Sequence, residues 1–207
     1  MSVATYIAAQ LRRPSGLFGR HVVARILNRG NASMNVLTAK LLALAADDRV
    51  LEVGFGGGDL IARKLPVVTR GRIVGVDFSP AMMALCERRF STMIRAGRVA
   101  LHCAHVDALP CASEEFTKAA TVNTIYFWPD PIAALAEIRR TLRPGGRLVV
   151  AFNPPATASK LSYTQHGFTL YEPEQVRALL HEAGFRESEL VAGQNRLGEF
   201  FCATAVK

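Results

Sequence analysis

The chain is poor in the features that would replace an ordinary core. Its four cysteines (Cys86, Cys103, Cys111, Cys202) form no CxxC pair, and no Cys/His spacing matches a zinc site. They read as reduced core thiols. The five histidines contain one close pair, His102 and His105, in a strand-like run that turns the two side chains to opposite faces. No metal site is expected. Uninterrupted apolar stretches such as Leu41 to Ala46 and Leu148 to Phe152 fall far short of the ~20 residues that cross a bilayer. Charged residues make up only 20% of the chain and apolar ones 50%, which excludes disorder. With 207 residues, roughly 70% of the unfolded surface can be buried, enough for one soluble domain without disulfide support.

Acid is absent from one region. Residues 1–46 hold Arg12, Arg13, Arg20, Arg25, Arg29 and Lys40 and no Asp or Glu, so most of the formal charge of +8 sits there. Such a composition also suits an organelle presequence. A secretory signal peptide fits worse, because the apolar Val3 to Ala9 run precedes its charges rather than following them, and the region is read as a folded, basic helical arm of a cytoplasmic protein. Val3, Ile7 and Leu11 mark a first helix, ended by Pro14-Ser15-Gly16. Two more apolar-periodic runs cover 17–27 and about 34–46.

From Arg49 the texture changes. Short apolar strands are predicted at 50–53, 72–77, 98–103, 119–125 and 147–152, with helices at 59–65, 80–90 and 131–142 between them, the last two opened by proline. A helix at 172–183, stopped by Gly184, precedes strands near 189–192 and 199–206. Strands alternating with helices give an α/β, doubly wound, mostly parallel sheet covered on both faces. The expected division is an arm or cap over 1–46 and a domain over 47–207.

The strongest local signal is Val50-Leu51-Glu52-Val53-Gly54-Phe55-Gly56-Gly57-Gly58-Asp59-Leu60, a buried strand ending in a glycine-rich turn that opens a helix. Asp77, 19 residues after Gly58, ends the second strand, where an acid can accept from ribose hydroxyls. A dinucleotide loop of the GxGxxG type would place glycine at position 59, which is Asp59, whereas Gly54-x-Gly56-x-Gly58 is complete. Glu52, just before the loop, repels a diphosphate and favours a ligand carrying ammonium and sulfonium.

At these residues the chain resembles the class I S-adenosylmethionine-dependent methyltransferases, from about residue 48 onward. Val106-Asp107-Ala108-Leu109-Pro110 is similar to that family's loop after strand three. Asn123-Thr124-Ile125-Tyr126-Phe127-Trp128-Pro129-Asp130-Pro131 is similar to its segment ending strand four, and Leu142-Arg143-Pro144-Gly145-Gly146-Arg147-Leu148 to its turn into strand five. The resemblance implies a Rossmann-like seven-stranded sheet with an antiparallel last strand and S-adenosyl-L-methionine as cofactor. It implies that Glu52, Gly54 and Gly56 border the methionine end of the cofactor, Asp77 holds the ribose, and Phe78 or Met82 covers the adenine. Asp107 with Ala108 would read the adenine edge, and Asn123 with Thr124 would sit beneath the methionine portion.

Methyl transfer from a sulfonium is an in-line displacement that needs alignment, a dry pocket, and a base only for a protonated acceptor. Tyr126, Phe127 and Trp128 follow strand four at the carboxyl edge of the sheet and are candidate pocket residues. The 163–171 segment falls where this family places part of a substrate lid, and His166 in it is the candidate base. Tyr126 and His166 are thus the candidate catalytic residues, with His21 and Asn31 of the arm as further candidates. Asn153-Pro154-Pro155-Ala156 is similar to the Asn-Pro-Pro-aromatic signature of amide and base methylation, but it follows strand five and lacks the aromatic residue, so it carries no inference. The preferred acceptor is a small organic molecule. The alternative is a lipid head group or RNA engaged through the basic arm, either by docking on nucleic acid or by contact with a membrane surface.

Overall fold

A computed structural model describes residues 2–12 and 29–207. Its seven-stranded sheet has the order β3-β2-β1-β4-β5-β7-β6. The strands are β1 (Arg49–Val53), β2 (Arg72–Asp77), β3 (Val99–Cys103), β4 (Phe116–Val122), β5 (Leu142–Phe152), β6 (Arg186–Gln194) and β7 (Glu199–Val206). The first five are parallel, and β7 runs antiparallel to both β5 and β6.

The period-two alternation of each strand sorts its side chains onto two cores. On one face Leu51, Val53, Val74, Val76, Leu148, Val150 and Phe152 pack against helices at Pro131–Thr141 and Pro173–Glu182, through Leu135, Ile138, Val176 and Leu180. On the other face Val50 and Ile73 meet Ile61, Met82 and Cys86, while Ala120, Val122, Val149 and Ala151 meet Met34, Leu42 and Leu60. Among the described residues the helices are, in chain order, α1 (Val3–Arg12), α2 (Ala32–Leu41), α3 (Asp59–Lys64), α4 (Pro80–Arg89), α5 (Ser91–Arg95), α6 (Pro131–Thr141), α7 (Pro155–Ala158) and α8 (Pro173–Glu182).

Within the expected arm, α2 is a covering layer of the sheet, with Met34 fully buried and Asn35 bonded to Asp59 of α3 at 2.9 Å. Helix α1 rests on the turn at Ser162–Gln165. His21, Arg13, Arg20 and Arg25 lie outside the described residues.

Several boundaries move for local reasons. Strand β4 ends at Val122, not 125, because Asn123 takes φ +56° and Ile125–Phe127 coils into a 3₁₀ turn. Strand β5 begins at Leu142, which pairs with Phe116; Arg143 to Gly146 bulge outward before pairing resumes at Arg147. Strand β6 reaches from 186 to 194 through an irregularity near Glu187, whose φ is +50°. Strand β3 stops at Cys103, so His105 belongs to the loop beyond it and not to the strand run predicted for the histidine pair.

The chain crosses from β1 to β2 on one side and reaches β4 on the other. The crevice at the carboxyl ends of β1 and β4 is therefore the topological switch point, where α/β sheets bind ligands.

Candidate active site

One cavity occupies that crevice, walled by the loops after β1, β2, β3 and β4 and by Asn31 and Asn35. It gathers Glu52, Gly54, Gly56, Asp77, Phe78, Met82, Asp107, Asn123 and Thr124 from four separate stretches of sequence. Phe127 and Trp128 line it as well.

The glycine turn explains its own composition. Gly54 has φ +72° and Gly58 φ +74°, conformations in which a Cβ is strained. A Cβ at Gly54 would lie 2.3 Å from Thr124 Cγ2, and one at Gly58 2.6 Å from Phe90 Cε2. The N–H of Gly54 donates to Val76 O (2.7 Å), that of Gly58 to Phe55 O (2.8 Å) and that of Gly56 to Asp77 Oδ2 (2.9 Å). The turn thus spends these three amides on the protein, whereas a diphosphate cradle keeps such groups for its ligand. Its carbonyls are engaged too: Cys86 Sγ donates to Gly56 O at 3.3 Å, and the Arg89 guanidinium donates to Gly57 O.

Asp77 is buried at the end of β2, and its other oxygen accepts from the Ser79 N–H at 2.9 Å. Burial raises its carboxyl pKa, and the two backbone donors act against that rise. Each carboxylate oxygen keeps a lone pair for a ligand hydroxyl. The Phe78 and His105 rings lie with centroids 5.3 Å apart, tilted by 35°, and Met82 is almost wholly buried.

Glu52 does not present the uncompensated charge expected from the sequence. Its Oε2 accepts from Lys64 Nζ at 2.5 Å, and both side chains are buried. The pair cancels most of the repulsion that was to exclude a diphosphate, so the discrimination rests on the engaged loop amides instead. Asp59 is likewise held, by Arg63 at 2.7 Å and by Asn35. No lysine or arginine lines the cavity among the described residues.

Asn123 joins the site to the rest of the molecule. The backbone N–H of Asn153 donates to the Tyr126 hydroxyl, which in turn donates to Asn123 Oδ1 at 2.9 Å, closer than its second acceptor, Asn153 O at 3.2 Å. That fixes the Asn123 amide with oxygen inward. Asn195 Nδ2 donates to Asn153 Oδ1 (2.9 Å), Asn153 Nδ2 to Asn123 Oδ1 (3.2 Å), and Asn123 Nδ2 to Asn31 Oδ1 (2.8 Å). The relay has one direction and leaves the Asn31 amide nitrogen as its donor end at the cavity wall.

Three expected site residues are placed elsewhere. Tyr126 is buried behind the cavity wall, its hydroxyl consumed by Asn123 and Asn153, and burial pushes its pKa up. His166 is exposed and lines no part of the cavity. Ala108 does not line it either; its N–H donates to His105 O. The sequence reading missed His105, Asn35 and Phe55, all in the wall.

Residues 51–150 match the methyltransferase domain family. The uncharacterized methyltransferase YdaC of Bacillus subtilis is 27% identical over 187 residues, covering 90% of this chain and 98% of its own length. The ubiquinone/menaquinone biosynthesis C-methyltransferase UbiE of Geobacter sulfurreducens is 35% identical over 114 residues, covering 54% of this chain; the chain spans 44% of that enzyme. Among solved structures, a SAM dependent methyltransferase from Aquifex aeolicus superposes with a TM-score of 0.73 at 16% identity, covering 90% of this chain and 98% of its own.

Proposed function

We propose that the chain is a class I S-adenosylmethionine-dependent methyltransferase whose switch-point cavity binds S-adenosyl-L-methionine and delivers its methyl group to a small organic acceptor. The observation that carries the reading is the glycine turn whose Gly54, Gly56 and Gly58 amides are already paired, set against a buried Asp77 that lines the cavity. Such a wall suits ribose hydroxyls and a cationic ligand better than a diphosphate.

In this reading Asp77 accepts from the ribose, Phe78, Met82 and His105 cover the adenine, and Asp107 accepts from its amino group. Glu52, the Gly54–Gly56 backbone, Asn123 and Thr124 hold the amino-acid end. When bound, the donor supplies a sulfonium-borne methyl group and a leaving group that departs neutral.

The chain's residues then align and dehydrate rather than exchange protons. Phe127, Trp128 and Pro129 close one side of the cavity against water, and Asn31 and Asn35 offer amides at its other wall. Such alignment is worth up to about 7–11 kcal/mol in well-oriented reactions. Tyr126 serves as a positioning residue for Asn123, and transfer proceeds without a proton relay through the exposed His166. A described wall of carboxylates, amides and aromatic rings suits a small organic acceptor.

Isothermal titration tests the site. S-adenosylmethionine is expected to bind the wild type, and Asp77→Ala to weaken binding at least about tenfold through loss of a charge-assisted hydrogen bond. Equal affinities for the two proteins reject the ribose assignment. Release of S-adenosylhomocysteine across a panel of small phenols and quinols, each reacting as the phenolate after losing its proton to solvent, then identifies the acceptor.

A further inference from the structure

Lys64 sits where a helix normally places an apolar residue. It follows Leu60 and Ile61 by four and three positions, on the inward face of α3, and its side chain is wholly buried. It does not reach the cavity. Its Nζ lies 2.5 Å from Oε2 of Glu52, which does line the cavity at the end of β1. The other groups bearing on Glu52 are Asp59 at the start of α3, Asp77 at the end of β2 and Cys86 on α4. Asp59 is paired with Arg63, and Asp77 with backbone amides. Lys64 is therefore the cation that answers Glu52. A buried carboxylate left without it would face desolvation and two further acids, and would take up a proton. Burial raises the pKa of Glu52 and lowers that of Lys64, while each partner opposes the shift of the other.

We propose that Lys64 is a positioning residue for methyl-donor binding, keeping Glu52 as a carboxylate whose Oε1 remains for the ammonium of the donor's amino-acid end. The inference rests on the donor reading above and extends it from the cavity wall to a residue behind it. Lys64 makes the affinity for a cationic ligand insensitive to pH around neutrality. Losing it converts Glu52 into a neutral acid at a higher pH than in the wild type.

The test is the dissociation constant of S-adenosylmethionine for wild type and Lys64→Met, measured by calorimetry from about pH 7 down to about pH 6, where the ligand's own amino group stays mostly protonated. The ratio of variant to wild type removes the titration of the ligand, which is common to both proteins. It is expected to grow as pH falls, by up to about tenfold per pH unit. In Lys64→Met/Glu52→Gln the ratio loses its pH dependence. A ratio constant with pH in the single variant overturns the role of Lys64, since a purely structural defect weakens binding equally at every pH. A wild type that binds no S-adenosylmethionine at any pH overturns the donor reading itself. Should Lys64→Met fail to fold, carboxyl ¹³C shifts of glutamate-labelled wild type decide: an ionised Glu52 at neutral pH is expected, and a protonated one overturns the inference.

Discussion

Replacing Gly54 by alanine adds one carbon at the hinge of the site, and its cost follows from two separate terms. The φ of +72° puts any Cβ too near the following carbonyl, which costs roughly 1–2 kcal/mol. The same Cβ lands 2.3 Å from Thr124 Cγ2 and 3.3 Å from Thr124 Cβ, an overpacking that costs typically about 1–3 kcal/mol. Gly54→Ala is thus expected to lose about 2–5 kcal/mol, a large part of the roughly 5–15 kcal/mol that holds a domain folded. Thr124→Ser separates the terms. It deletes Cγ2 but keeps the hydroxyl bonded to Thr121, so Gly54→Ala/Thr124→Ser should recover about 1–3 kcal/mol of the overpacking and leave the backbone term. Urea unfolding at constant m-value measures both. A single variant within about 0.5 kcal/mol of wild type, or a double variant no better than the sum of its parts, would refute the account of why this turn is glycine.

Tyr126→Phe is expected to destabilise by about 1–3 kcal/mol, because the half-buried Asn153 N–H loses its acceptor on the buried Tyr126, while the pH profile of turnover keeps its shape. Loss of one limb of that profile would instead make Tyr126 a base. Burial pushes the Cys86 and Cys202 thiols up to about 12 and Cys111 up to about 11, whereas Cys103 is exposed. At pH 8 a thiol of pKa about 12 is ionised in only about one molecule in 10⁴, so a disulfide reagent should modify Cys103 first and reach Cys86 and Cys202 only as the chain unfolds. Rapid modification of all four would contradict the buried positions of Cys86 and Cys202.

What could be read from the sequence was mostly backbone geometry. Glycines at 54, 56 and 58 announce a turn because only that residue tolerates the left-handed conformation there, and Asp77 is fixed because β2 has to end where the turn needs a carboxylate for the Gly56 amide. What escaped was compensation across the fold. Lys64 follows Arg63 in the last turn of α3, where a cation ordinarily answers the helix dipole in water. Its spacing from Leu60 and Ile61 was the signal that it faces inward, but the partner twelve residues earlier appears only when the helix folds back over β1. Tyr126 and His166 were misplaced for a related reason: chain position after a strand locates the sheet edge but not the direction in which a side chain points from it. Asn123 belongs to both categories. Its left-handed backbone, tolerated by asparagine, ends β4 three residues before the predicted limit, and the same bend turns its amide between Tyr126 and Asn31. Strand length and the polarity of the amide relay are therefore consequences of one residue, so an aspartate at 123 could keep the bend while reversing the bond to Asn31.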